Sequence, residues 1–312
     1  MYIIYNIVVM FFETLIHNMF SGLFLGIVNE GLLYGIVSLG VYITYKILDF
    51  PDMSVDGSFP LGMSITAVLL LNGLNPFLAL CISFLVGCLV GIITGVIHVK
   101  LGVRDLLSGI LVMTALYSIN LRIAGRPNLP INKVKTIFSV DVIDPRLMSF
   151  GREFVKFVIL LLIVIICKLL LDYYLKTKNG YLLRSVGDNE TLVTSLAKDK
   201  GNIKIIGLAI ANGFVAFAGS IFVQDRRFFD ISAGTGTLVI AVANVIIGMQ
   251  IMKRFKFLKT TTAVIIGSIV YRACISIAID RGLDPRDLRL ITSILLLIIL
   301  MLNIKNKRAV KK

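Results

Sequence analysis

The sequence predicts an all-α integral membrane protein, a polytopic bundle of about nine transmembrane helices with a range of eight to ten. Of the 312 residues, 57% are hydrophobic and only 16% are charged, which is too apolar for a soluble domain of this length. The mean hydropathy is +0.91. Several apolar runs reach the roughly 20 residues that a helix needs to cross a bilayer, which favours helices over the short alternating strands of a barrel.

Residues 1–22 form an apolar N-terminal segment that carries Glu13, His17 and Asn18. No cationic region precedes it and no small-residue cleavage site follows it, so a cleaved signal peptide is not expected. We expect an interfacial or peripheral helix here. A tenth crossing is the alternative.

The first predicted span covers 23–47 and contains four glycines at or near four-residue spacing, a pattern that lets another helix approach closely. Glu30 lies inside this span. An acidic residue in a membrane helix is a functional candidate, and a snorkelled or hydrogen-bonded structural role is the alternative.

The stretch that follows the first span is crowded with Asp, Pro and Gly between Lys46 and Gly62. It predicts a second helix that starts late or is broken at membrane depth, and such backbone must face protein or a water-filled path. This helix ends near residue 71. The other predicted spans are 76–99, 106–121, 154–175, 205–223, 237–252, 260–279 and 288–300.

Together these spans define a transmembrane domain over 23–303, with a structured external loop at 122–152 and a basic tail at 304–312. The charge of the tail predicts a cytoplasmic C-terminus, and counting spans back from it makes 180–204 cytoplasmic as well. The formal net charge of +14 is scattered over loops and tail. It is typical of contact with anionic lipid, and we expect no nucleic-acid partner.

A short motif occurs twice, as FPDMSV from Phe50 and as FFDISA from Phe228. Each copy follows a glycine-rich apolar span and precedes a glycine-rich restart. By the span count the two copies lie on opposite sides of the membrane, as an inverted-topology repeat requires. The motif therefore predicts an inverted repeat.

The sequence lacks the phosphate-binding loop of ATPases, and it has no soluble segment long enough for a nucleotide-binding domain. The four cysteines lie in apolar runs, and His17 and His98 stand alone, so neither a metal site nor a disulfide framework is predicted. We expect no enzyme activity and no cofactor. Arg272 lies inside a span, where we expect it to snorkel or pair within the bundle, with a substrate contact as the alternative.

The polar segment 180–204 has helical character. Asp188 or Asn189 can cap a helix that follows, with Glu190 near its positive end. Leu192, Val193, Leu196 and Ala197 can form its apolar stripe. An ordinary connecting loop with a helix on the membrane surface is the alternative.

The segment RSVGDNETLVTSLAKDKGNIKIIGLAIANG resembles the cytoplasmic coupling segment and the following span of ABC importer permeases of the branched-chain amino acid and sugar class. The similarity extends over nearly the whole chain, through DFPDMSVDGSFPLG, LLSGILVMTALYSINLRIAGRPNLPI and DPRDLRLITSILL. It is strongest to permeases that work with binding proteins for tryptophan, tyrosine or related small solutes. Lys198, Asp199 and Lys200 depart from the small residues usual in the family at the end of the segment.

The resemblance implies the type II ABC importer permease architecture and a non-enzymatic pathway for an aromatic or branched-chain amino acid in the bacterial inner (plasma) membrane. Its partners would be a separate ATP-binding subunit, a periplasmic or lipoprotein binding protein, a second permease copy and the lipid bilayer. The ATPase-coupling residues would be Arg184, Gly187, Asp188, Asn189, Glu190, Leu192 and Leu196. The translocation pathway would include Ser58, Pro60, Gly62, Asn120, Asn212 and Asn244.

Two other classes of function fit the span pattern. A stand-alone secondary transporter driven by an ion gradient would also use inverted repeats and broken helices. A membrane assembly protein without a transport role is the second alternative.

Overall fold

The computed structural model describes residues 22–132, 134–139, 152–188, 200–254 and 258–280, together with Leu290, Ser293, Ile294, Leu297 and Met301. The predicted N-terminal helix, the ninth span at 288–300 and the basic tail fall wholly or mostly outside these residues. The described helices are α1 (Gly22–Val41), α2 (Val55–Leu71), α3 (Pro76–Val99), α4 (Asp105–Ala124), α5 (Arg152–Tyr174), α6 (Lys178–Asp188), α7 (Lys200–Arg226), α8 (Thr237–Arg254) and α9 (Thr260–Asp280).

Seven helical segments of the described residues are long and apolar enough to cross a membrane, and α2 is a shorter apolar helix of 17 residues. Each corresponds to a predicted span, which confirms the polytopic helical fold. Helix α3 begins where predicted because the Asn75 side chain accepts a hydrogen bond from the Phe77 amide at 2.9 Å and Pro76 occupies the first turn.

Helix α2 resolves the two alternatives for its irregular start. The chain leaves α1 through a π-helical stretch, Tyr42–Ile47, and α2 then begins at Val55 and runs unbroken through Pro60. It is therefore a late start rather than a break. Proline has no amide hydrogen, so the carbonyl group four residues earlier, that of Asp56, has no helical partner.

Helix α7 is the centre of the bundle, with α1, α2 and α3 packed around it. Small residues make these contacts close: a β-carbon added at Gly91 would meet the backbone of Leu208, and one at Gly62 would meet the backbone of Ala216. Without a hydrophobic driving force between helices in lipid, such close packing is what holds the bundle together.

The outer faces of α3, α4 and α5 carry exposed large apolar side chains, among them Leu85, Leu89, Leu107, Leu162 and Leu170. In a soluble protein a surface of this kind would cause aggregation, whereas in a bilayer it matches the lipid tails. The chain is a multi-pass membrane protein.

A two-stranded antiparallel sheet joins the loop after α4 to the segment after α7. Strand β1 (Asn128–Pro130) pairs with β2 (Phe228–Asp230), with Leu129 opposite Phe229. The all-α prediction therefore omits a small sheet, which ties part of the predicted external loop to the end of α7. The opposite end of the bundle holds Phe50 and His98, whose rings lie 5.0 Å apart, and helix α6.

Candidate functional site

Helix α6 is an amphipathic helix docked against the end of the bundle. Its inner face buries Gly180, Leu183 and Val186, at the three-residue spacing of one helix face, while Tyr181 and Arg184 are exposed on the outer face. The sequence predicts a helix after Asp188, whereas this helix lies before it. The signal was the spacing of Gly180, Leu183 and Val186.

Two close contacts fix α6 to the transmembrane helices. Gly187 lies against the carbonyl group of Ile47, the last residue of the π-helical stretch, and a β-carbon at position 187 would clash with that oxygen. Leu183 packs over Gly207 in α7. A movement of α6 would therefore act directly on the end of α1 and on α7.

The structure describes only part of the predicted coupling set. Arg184 is on the exposed face of α6, Gly187 faces the transmembrane helices and Asp188 is the last residue of α6. Asn189, Glu190, Leu192 and Leu196 lie outside the described residues, as does the capped helix predicted to follow Asp188.

A buried polar cluster connects the start of α2 to the middle of α7. The Asn212 amide nitrogen donates to Asp52 Oδ2 at 2.7 Å, and the Asn212 amide oxygen accepts from the hydroxyl groups of Ser58 at 2.6 Å and Ser54 at 3.2 Å. All four side chains are fully buried. The structure thus brings the predicted pathway residues Ser58 and Asn212 together, and adds Asp52 and Ser54, which had not been predicted as site residues.

The other predicted pathway residues are also buried against neighbouring helices. The amide of Asn120 in α4 donates to the Gly57 carbonyl oxygen at 3.0 Å, and that of Asn244 in α8 donates to the Ser38 hydroxyl group at 2.9 Å. Gly62 contacts α7, and Pro60 contacts Gly234. In the single chain, all six predicted residues lie at helix–helix contacts.

Helices α2 and α8 meet at their N-termini. Asp56 in the first turn of α2 accepts hydrogen bonds from the backbone amides of Gly236 at 2.9 Å and Leu238 at 2.8 Å, so it caps α8. Gly234 lies against the Asp56 carbonyl group that Pro60 leaves free, and a β-carbon there would clash. Asp56 and Gly234 each lie six residues after the first phenylalanine of the repeated motif.

The two motif copies also share a local structure. Ser54 donates its amide and its hydroxyl group to Asp52, and Ser232 donates the same two groups to Asp230. Helix α1 packs on α8 and α9, just as α7 packs on α2 and α3. These contacts are those that an inverted repeat would give, and the repeat itself stays a prediction.

Charged side chains meet near the β1–β2 end of the bundle. Glu30 in α1 forms ion pairs with Arg226 at the end of α7 and with Arg272 in α9, the latter at 3.3 Å. This placement confirms that Arg272 pairs within the bundle. Among the described residues no group of three or more His, Cys, Asp or Glu side chains could hold a metal ion.

Comparison with known proteins identifies the family. The family model described as branched-chain amino acid transport system / permease component matches residues 23–301. A tyrosine transport system permease protein of Clostridioides difficile is 45% identical over 287 residues, covering 91% of this chain and 93% of that protein.

Two further relatives are more distant. An uncharacterized protein of Rickettsia prowazekii is 33% identical over 264 residues, covering 83% of this chain and 90% of its own length. A probable branched-chain amino acid transport permease of Methanocaldococcus jannaschii is 27% identical over 217 residues, 66% of each chain. No solved structure matches the chain. With its polytopic helical fold and a family match over nearly its whole length, the chain belongs to the branched-chain amino acid transport permease family.

Proposed function

We propose that this chain is the permease subunit of a binding-protein-dependent ABC importer, and that ATP hydrolysis on a separate subunit drives import. The observation that carries the proposal is helix α6. It lies outside the membrane-spanning helices, its buried face rests on the ends of α1 and α7, and its outer face presents Tyr181 and Arg184.

The packing of α6 supports a coupling role. Because Gly187 and Leu183 contact two different transmembrane segments, a partner that pushes α6 would move α1 and α7 against each other. Packed helices shift between discrete arrangements rather than deforming continuously. Coupling of this kind requires residues 188–196 to complete the docking surface, with Asp188, Asn189, Glu190, Leu192 and Leu196 facing the ATPase.

The substrate that we propose is an amino acid of the aromatic or branched-chain type. The support is the 45% identity to a tyrosine transport system permease protein and the branched-chain description of the family. A binding protein would deliver the amino acid, and two permease copies would form the pathway between them. Ser58, Pro60, Gly62, Asn120, Asn212 and Asn244 would shape that pathway through the contacts that they make between neighbouring helices.

Co-purification from the native host tests the coupling role. The ATPase subunit should purify with the wild-type permease and be lost when 188–192 is replaced by a Gly/Ser linker. Arg184→Glu, on the exposed face of α6, should reduce the bound ATPase by about tenfold or more because it reverses a charge at the docking surface. Arg122→Glu is the matched control, since Arg122 is also exposed but lies at the opposite end of the bundle.

Uptake into proteoliposomes separates this proposal from an ion-driven transporter. The wild-type complex should import labelled L-tyrosine only with ATP and binding protein present, and uptake should be insensitive to ionophores. If the linker variant still imports with no ATPase present, the chain is a secondary transporter and the proposal is wrong.

A further inference from the structure

A cavity lies between α5 and the pair formed by α3 and α7. Helix α5 packs on α1, whereas α3 packs on α7, and the space left between them has a volume of about 650 Å³. Its floor is formed by buried side chains such as Leu80, Leu171 and Phe214, and its rim by exposed ones such as Leu85 and Leu170. The cavity is therefore a groove that opens on the lipid-facing side of the bundle.

The groove has about the length of one leaflet of a bilayer. On α5 its lining runs from Ile163 to Tyr174, which is about 17 Å of helix at the usual rise per residue. The hydrocarbon core of a bilayer is about 30 Å thick, so the acyl chains of each leaflet cover about 15 Å. By the predicted topology α5 runs inward, so Tyr174 lies at the cytoplasmic end of the groove. A lipid of the cytoplasmic leaflet therefore has its acyl chains at the depth of the groove.

The lining of the groove favours hydrocarbon over water. Among the described residues, those that line it are aliphatic residues, phenylalanine and cysteine, with Tyr174 in addition. A water molecule in a cavity needs two to four polar partners, which these walls do not supply. A hydrocarbon chain gives the same walls the dispersion contacts of a packed interior. The volume is also within the usual range for a site that binds a small ligand.

The cytoplasmic end of the groove carries groups that suit the head of an anionic phospholipid. The Tyr174 hydroxyl group is buried and has no hydrogen-bond partner among the described residues. It can donate to the ester carbonyl oxygen that lies where an acyl chain joins the glycerol. Lys176 and Lys178 follow within four residues, and both are exposed. Lysines at the membrane surface attract anionic lipid.

We infer that this groove binds one acyl chain of an anionic phospholipid from the cytoplasmic leaflet, with the lipid ester group at Tyr174 and the phosphate at Lys176 and Lys178. The bound chain fills the gap between α5 and the α3–α7 pair, so the lipid joins α5 to the centre of the bundle. The inference is independent of the proposed function, because it requires only the membrane-spanning fold and its predicted orientation.

A photoactivatable lipid tests where the chain lies. The probe is phosphatidylglycerol with a diazirine in the middle of one acyl chain, added to the full-length permease in phosphatidylcholine nanodiscs, and peptide mass spectrometry locates the label. Label should appear on α7 within 210–217, because these residues line the floor of the groove. Lipid that only surrounds the bundle would label the outer faces of α3 and α5 alone.

Two competitors with identical acyl chains test the role of the head group. Unlabelled phosphatidylglycerol should compete with the probe about fivefold or more better than added phosphatidylcholine, because the two lysines attract the anionic head. Replacing both Lys176 and Lys178 by glutamine should remove this difference. Tyr174→Phe should weaken competition by both lipids, since both carry the ester group. Tyr173→Phe is its matched control, because Tyr173 is exposed and lies outside the groove.

A larger side chain at the rim tests occupation of the groove itself. Cys81→Trp places a ring at an exposed position of the lining and should reduce the label on α7 by about fivefold or more. Leu89→Trp is the matched control, because Leu89 is also exposed on α3 but does not line the groove, and it should leave the label unchanged. Leu170→Trp, on the opposite wall, replaces Cys81→Trp if that variant does not fold.

Three results would overturn the inference. The first is label on the outer faces of α3 and α5 with none on α7. The second is equal competition by phosphatidylglycerol and phosphatidylcholine in the wild-type permease. The third is a disulfide between two permease copies under mild oxidation, in a chain that keeps Cys81 as its one cysteine, because a second copy would then cover the groove.

Discussion

Replacing Asn212 by alanine removes the amide that holds the start of α2 against the middle of α7. In the wild-type chain this amide is the hydrogen-bond partner of Asp52 Oδ2 and of the Ser58 hydroxyl group, and both are fully buried. Ser54 keeps its own hydrogen bond to Asp52 Oδ1 at 2.6 Å. The variant therefore leaves two buried polar groups without a partner.

The expected loss of stability follows from these two groups. A buried group that loses its partner costs about 1–3 kcal/mol, and more if it is charged. With about 2 kcal/mol for each, Asn212→Ala should lower the free energy of unfolding by about 4 kcal/mol. Ser64→Ala is the control. The Ser64 hydroxyl group is buried in α2, the helix of Ser58, and donates to the Leu61 carbonyl oxygen of its own helix, so it should contribute less than about 1 kcal/mol.

Equilibrium unfolding of the purified permease in mixed detergent micelles with increasing dodecyl sulfate measures both variants. A double-mutant cycle with Asp52→Asn then isolates the contact between Asp52 and Asn212, for which we expect a coupling of about 2 kcal/mol. A coupling under about 0.5 kcal/mol, or an equal loss for Asn212→Ala and Ser64→Ala, would show that the Asp52–Asn212 contact does not stabilise the bundle.

Three other outcomes follow from the packing and the topology. Gly91→Leu should separate α3 from α7 and lower the free energy of unfolding by about 3 kcal/mol or more. Gly26→Leu should have little effect, because outside its own helix no atom of the described residues lies within 4 Å of the β-carbon position, and the same micelle titration compares the two variants. Asp56→Ala should remove the cap of α8 and lower the free energy of unfolding by about 1 kcal/mol. Hydrogen exchange should then be faster at the backbone amides of the first turn of α8 alone, whereas a general loosening of the bundle would speed exchange in every helix. Single cysteines in place of Asn128 and Asn189, in a chain without the four native cysteines, should react with an impermeant maleimide from opposite sides, and labelling from one side would contradict the span count.

The membrane-spanning helices were predictable because hydrophobic length and capping residues are local properties. The third span was predicted at 76–99 and is found at Pro76–Val99, where Asn75 and Pro76 define its start. Helix α6 was not identified in advance. It has 11 residues and only a narrow apolar face, so its position depends on Leu183 and Gly187 meeting partners elsewhere in the chain.

The polar contacts depended on pairings that a single sequence does not contain. Ser58 and Asn212 were predicted as candidates one by one, yet the bond that joins them spans 154 residues. In the sequence, Asp52 belongs to the repeated motif and to the Asp-, Pro- and Gly-rich stretch, with no sign of its partner. The sequence leaves two roles open for Glu30 and two for Arg272, and only the packing of α1 against α9 reveals that they are partners.

The contact between α1 and α9, which lie near opposite ends of the chain, has a consequence for biogenesis. Helix α1 packs on α9, and the Gly31 carbonyl group accepts a hydrogen bond from Ser268, 237 residues later in the sequence. At roughly 5–20 residues per second, the ribosome needs on the order of 12–47 s to make α9 after α1. During that time Gly31 and Gly35, which pack on α9, have no native partner there, so this part of α1 must wait in the membrane, exposed to lipid or to other proteins, until α9 is inserted.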